Sequence, residues 1–266
     1  MSYIELFYIL SAGLFVGMLV LLEVGRRIGR HRLATDPEGA KAGTGTIEAA
    51  LFALLGLLIA LTFSGAAVRF DARRQLIVEE ANAIGTAYLR LDLLNEDFQP
   101  ALRAHFREYV DARIAAYGAL PDMQAAGREL ARATALQRTI WNDAVTACRR
   151  TVVQQPATML LLPALNQMID ITNVRMMAAM THPPGIIYVL LFGLGLLCSL
   201  LAGYGMAAGK RRSWLHMLEF AFVLAVTLYV ILDLEFPRLG FIRIDAADRM
   251  LVEVRQSMDP PQHSIR

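Results

Sequence analysis

Cysteine is nearly absent from this chain of 266 residues: Cys148 and Cys198 are its only two, fifty positions apart. That excludes a disulfide framework and any CxxC metal motif. Charge is also scarce. Only 19% of residues are charged against 56% hydrophobic, and mean hydropathy is +0.43, whereas a soluble domain is about 25% charged. The formal net charge is +2, too small an electrostatic footprint for nucleic acid, which is not expected as a partner. His31, His105, His182, His216 and His263 share no metal-ligand spacing, and no GxSxG elbow, phosphate-binding loop or HExxH helix occurs. No metal, cofactor or enzymatic activity is therefore expected.

What the chain has is long apolar runs. Leu6 to Leu22, Ala49 to Val68 and Pro183 to Gly209 carry no charge, and Trp214 to Leu234 is interrupted only by Glu219 and Asp233. At a rise of about 1.5 Å per residue, about 20 residues cross a hydrocarbon core of about 30 Å, so four membrane spans are predicted. The basic cluster follows the first span instead of preceding it, which argues for a retained helix over a cleaved leader. Arg26, Arg27, Arg30, Arg32 and Lys41 in the first loop, with Lys210, Arg211 and Arg212 in the third, place both loops in the cytoplasm. The segment between the second and third spans is then outside.

That segment, Arg69 to His182, holds 13 basic and 12 acidic side chains, the balance of a solvated folded unit. Its apolar residues keep a helical period. Ile77, Ile84, Tyr88, Leu91 and Leu94 form one stripe, and Leu102, Phe106, Tyr109, Ile114 and Tyr117 a second; looser third and fourth stripes run through Leu130 to Val152 and Leu161 to Met176. Breaks are expected at Asn95 to Pro100, Leu120 to Asp122, Gln155 to Pro156 and Pro183 to Pro184, because proline lacks an amide donor and disfavours helix in its predecessor. The predicted fold is all-α: four transmembrane helices with a bundle of about four helices inserted between the second and third, two of them continuous with the flanking spans. The corresponding division is 1–68 for spans one and two, 69–182 for the bundle, 183–234 for spans three and four, and 235–266 for a tail packed near the membrane exit.

Small residues at Gly195, Ser199, Gly203 and Ala207 share a face of span three and suit close helix packing, as do Gly56, Ala60 and Ser64 of span two on a smaller scale. Ionisable groups at the bilayer boundary are rarer and costly. Glu219 either snorkels to the interface or lines a polar cavity, and with Glu48 it could frame an acidic mouth. At the other face Asp233, Glu235 and Arg238 close span four where Arg69, Asp71, Arg73 and Arg74 leave span two, and opposite charges at that depth are expected to pair.

The stretch Phe63 to Asn82, FSGAAVRFDARRQLIVEEAN, resembles the segment of bestrophin anion channels where the pore-lining second helix leaves the membrane. Arg69 matches a first arginine, Phe70 an aromatic, Arg74 a second arginine and Asn82 a later asparagine; Asp71 stands one residue before the family acid. The layout of four spans with a large helical insert agrees, and a polar turn, DLEFPRLG, follows the fourth. The chain is identified as a member of the bacterial bestrophin-like domain family. The resemblance implies a multi-pass protein of the bacterial inner membrane and a homo-oligomer, a pentamer by analogy. Ala53, Leu57 and Leu61 would line the pore, with inorganic ions as partners besides the lipid bilayer. Bestrophins conduct anions and keep the insert in the cytoplasm, whereas the charge count favours the periplasm and the acidic mouth would favour cations. The alternative to an ion channel is a membrane-anchored sensor or scaffold whose helical domain binds a ligand or partner protein.

Overall fold

The computed structural model describes residues 3–36, 44–150, 155–209, 213–238 and 240–259; Lys41, Lys210, Arg211, Arg212 and His263, and Leu239 of the turn after span four, lie outside them. The described residues form helices α1 (Tyr3–Thr35), α2 (Thr44–Leu89), α3 (Gln99–Gly118), α4 (Met123–Arg150), α5 (Gln155–Met180), α6 (Gly185–Gly205), α7 (Trp214–Glu235) and α8 (Asp245–Ser257). No strand occurs among the described residues. Four helical stretches are long and apolar enough to cross a membrane. The fold is therefore all-α with four spans, and contacts divide it into two units: Met1–Arg69 with His182–Phe236, and Phe70–Thr181 with Pro237–Arg266. Helix α2 contributes its first part to one and its last part to the other.

In the first unit α1 packs on α6 and α7. Its buried residues Phe7, Leu14, Met18, Leu22, Gly25 and Gly29 recur at helical spacing and mark one face. Glycine matters here for backbone approach. A Cβ on Gly203 would stand 2.0 Å from the Leu22 carbonyl oxygen, and one on Gly25 would stand 1.9 Å from that of Leu200, so neither helix admits a side chain there. Span two is less covered. Leu55 packs on Leu194 and Cys198, with Leu51, Phe52, Leu58, Ile59 and Leu224 around them.

The second unit is built on one apolar core. Ile84 and Tyr88 from the end of α2, and Leu91 from the short 3₁₀ turn after it, meet Leu102, Phe106 and Tyr109 of α3, Ile140 of α4, and Leu161, Leu165 and Met168 of α5. Asp122 caps α4, its Oδ1 accepting from the backbone amides of Gln124 and Ala125 at 2.9 and 3.0 Å. Those hydrogen bonds hold its carboxyl below the ordinary range. One expectation is corrected. The fourth helix of the insert is not continuous with span three: α5 ends at Met180 and Thr181 to Pro184 is non-helical, because Pro184 lacks a donor and holds Pro183 out of the helical region. The last residues of the described chain pack on the helical unit. From Pro237 the chain belongs to the second unit, and α8 packs on α3, placing Leu251 and Met258 in the core. An amphipathic helix of 13 residues cannot bury its apolar stripe by itself.

Candidate functional site

Span two shows an uncovered face. Ala53, Leu57 and Leu61 are all exposed, Leu57 by 56% and Leu61 by 61%, and Gly56, Ala60 and Ser64 are exposed as well. Successive positions four apart on a helix stack above one another, so the three form a continuous apolar strip. Within the first unit only the opposite side, at Leu55 and Ala66, is buried. A strip of this kind has to meet lipid, an axial passage or another copy of the chain.

At one end of this unit α2 and α7 are tied by charge. The guanidinium of Arg69 donates through Nε to Glu235 Oε1 at 2.8 Å, and its Nη2 donates to the same oxygen. Glu235 has no solvent exposure, and His182 Nδ1 lies 3.5 Å from its Oε2. The His182 ring stacks on Phe236 with centroids 4.3 Å apart, and Phe236 meets Phe7 at 5.0 Å. Asp233, two residues earlier, is buried as well. Arg69 lies back over its own helix, its Nη1 within 3.3 Å of where a Gly65 Cβ would be, so glycine there leaves room for the pair. At the other end of α2, Glu48 is half-buried with Oε2 near Gly205, while Glu219 is exposed on α7.

The remaining exit residues go elsewhere. Asp71 and Arg74 make an exposed pair at 3.3 Å, Arg74 sits 5.9 Å from the Phe70 ring, and Asn82 is exposed. Arg73 is buried and donates to the carbonyls of Ala178 and Thr181 at 3.1 and 2.9 Å, which satisfies acceptors at the end of α5. Arg238 does not join the Glu235 group. It chelates Asp248 with two bonds of 2.6 and 2.8 Å inside the second unit. In the span-three row, Ser199 donates to the Gly195 carbonyl at 2.8 Å, and Gly203 is the closest approach; a Cβ on Gly195 would touch nothing within 4 Å.

Sequence reasoning missed the most enclosed polar group. Glu80 is fully buried among α2, α3 and α5, accepting from Arg113 Nε at 2.6 Å and from Arg175. The Tyr117 ring lies among three guanidiniums, with Arg175, Arg238 and Arg113 carbons 4.3, 4.5 and 5.1 Å from its centre. Burial alone would raise the Glu80 carboxyl, yet Arg113 and Arg175 hold it below the ordinary range. Burial pushes the Tyr109 and Tyr117 phenols up, so both stay protonated at neutral pH. The signal was present: Glu80 falls between Ile77 and Ile84 on the apolar stripe, where a carboxylate must have partners.

Helices of this length and apolarity, with a charged exit and a helical unit inserted after span two, define a class of polytopic membrane protein. The family model of the Bestrophin-like domain matches residues 12–248, and the chain belongs to that family. Two crystal structures of variants of a bacterial bestrophin homolog from Klebsiella pneumoniae superpose with TM-scores of 0.69 and 0.68 at 13% and 14% identity; each covers 92% of this chain, and 98% and 95% of theirs. A crystal structure of a variant membrane protein superposes at 0.69 with 12% identity, covering 93% of this chain and 99% of the other. No curated protein matches the chain.

Proposed function

We propose that this protein is the subunit of an oligomeric ion channel in the bacterial inner membrane, a pentamer by analogy with bestrophins, in which α2 lines the axis. The observation that carries the reading is the strip Ala53, Leu57 and Leu61, uncovered along a span whose opposite side is packed. Family membership supports it. In a ring of copies these side chains would form an apolar constriction, which blocks ions by excluding water until it widens. No catalytic step is part of this reading. The Arg69 to Glu235 pair would hold the pore helix to span four, so its register would be set at the exit. Glu48 at the other end would give each ring a circle of carboxylates and favour cations, against the anions of the bestrophin analogy.

Planar-bilayer recording of the purified protein tests this reading, and reversal potentials in asymmetric KCl assign the permeant sign. We expect unitary conductance. Its absence from assembled oligomers would overturn the channel and leave a membrane-anchored sensor. The basic loops favour the periplasm for the helical unit over the cytoplasmic placement of bestrophins; on that reading a periplasm-active reporter fused after Pro121 should be active, and silence would support the bestrophin orientation.

A further inference from the structure

The second unit contains a cavity of about 550 Å³, half open to solvent, between α4 and α5, with Arg113 of α3 among its lining. Cavities of about 300–1,000 Å³ are the size that takes small organic ligands. Its chemistry is one-sided. Arg138, Asn142, Asn166 and Asn173 border it, and no aspartate or glutamate does. All four are solvent-exposed, and among the described residues none of these side chains has a hydrogen bond or ion pair within the chain, so their donors are open to water or to a ligand. Asn142 follows Arg138 by one helical turn on α4, while Asn166 and Asn173 lie two turns apart on α5, so the two helices present facing polar rows.

The charges around Arg113 reinforce the sign. Glu80 is shared by Arg113 and Arg175, and Asp248, 3.9 Å from Arg175, is chelated by Arg238, so this group of three arginines and two carboxylates keeps one positive charge in excess. Tyr109, hydrogen-bonded to Gln137 at 3.2 Å, stays neutral, and Gln137 also donates to Thr172 at 3.4 Å. The acids next to lining positions, Glu129 and Asp143 on α4 and Asp170 on α5, do not border the cavity, and Asp143 lies 3.1 Å from His105 Nδ1. One wall is apolar: Trp141 and Ile169 border the cavity and are packed against the core.

We propose that this cavity binds a small organic carboxylate, its oxygens taken by Arg138 and the asparagine amides and its planar apolar body laid against Trp141. A guanidinium suits a carboxylate because its parallel N–H groups match the two oxygens, and an indole face accepts a flat unsaturated body. The site stands on its own lining and does not depend on the pore reading.

The chain has two tryptophans, so Trp214→Phe leaves Trp141 as a single fluorescent reporter on the cavity. The full-length protein in detergent is titrated with sodium benzoate, with benzamide as the neutral isostere and inorganic phosphate and chloride as ionic controls. We expect a saturable change in emission with benzoate, at least tenfold weaker affinity for benzamide, and at least tenfold weaker benzoate affinity in Arg138→Ala and in Asn173→Ala. Both residues are solvent-exposed, so these variants should keep the helical circular dichroism and assembly size. Non-saturating quenching, equal affinity for benzamide, unchanged affinity in both variants, or saturation by phosphate with benzoate inert would each overturn the proposal.

Discussion

Glu80 illustrates how a single carboxylate organises the helical unit. With Arg113 and Arg175 it forms a triad in which all three side chains are nearly or wholly buried, and such groups are costly once a partner is removed. Glu80→Ala would remove the carboxylate that the two guanidiniums share, leaving Arg113 without a counter-charge and Arg175 with only Asp248 at 3.9 Å. We expect a loss of about 3–5 kcal/mol, read from denaturant unfolding of the purified protein. Combining it with Arg175→Met should recover part of that loss; strict additivity would show that the two groups are not coupled. The same pair sets a pH dependence. The folded carboxyl lies below the ordinary glutamate value of 4.5, so its stabilising contribution is complete above that value and is lost as pH falls through the folded one. Acidification toward pH 3 should therefore lower the unfolding midpoint of the wild type more than that of Glu80→Gln. An equal fall in both would assign the acid sensitivity to other carboxylates.

Among the elements, the α1 and α6 pair is the most demanding of its sequence. Gly25 and Gly203 each face a backbone carbonyl at a distance that no Cβ tolerates, so Gly203→Leu must push the helices apart and should cost more than the ~1–3 kcal/mol of ordinary overpacking. The expected result is loss of monodisperse protein in detergent, while Gly195→Ala, opposite open space, should behave as wild type. Equal behaviour of the two variants would remove the close approach as a structural requirement. The row Gly195, Ser199, Gly203 is visible in the sequence as a small-residue face, but spacing cannot distinguish the position that meets a backbone from one that meets nothing. Gly25 and Gly29 sit among arginines, where a small-residue pattern does not stand out. The breaks on either side of α3 follow from proline chemistry and were legible, whereas Gln155 and Pro156, expected as a break, begin α5. Helix α8 was not, because its few apolar residues acquire meaning only beside the core they complete.

For the whole molecule, the uncovered strip on span two raises the question of what meets it. If copies of the chain surround an axis, Leu57→Ala and Leu61→Ala should raise ion leak from proteoliposomes by widening the constriction, with assembly unchanged. Unchanged flux in both would count heavily against a span-two pore. Mass measurement in detergent should give a multiple of the 29.4 kDa subunit. A monomer would remove the axis altogether.

The sequence by itself determined that the chain is helical, how often it crosses the bilayer, where its helices break and which family it resembles, because hydropathy, helical period and proline act over a few neighbouring residues. Only the tertiary structure decided that Glu80 is held by Arg113 and Arg175, 33 and 95 positions away, that Glu235 is reached by Arg69 across 166, and that three asparagine amides and a guanidinium border one cavity. The physical reason is that spacing along a helix fixes which face a side chain occupies, whereas the partner of that face is chosen by how separate helices pack.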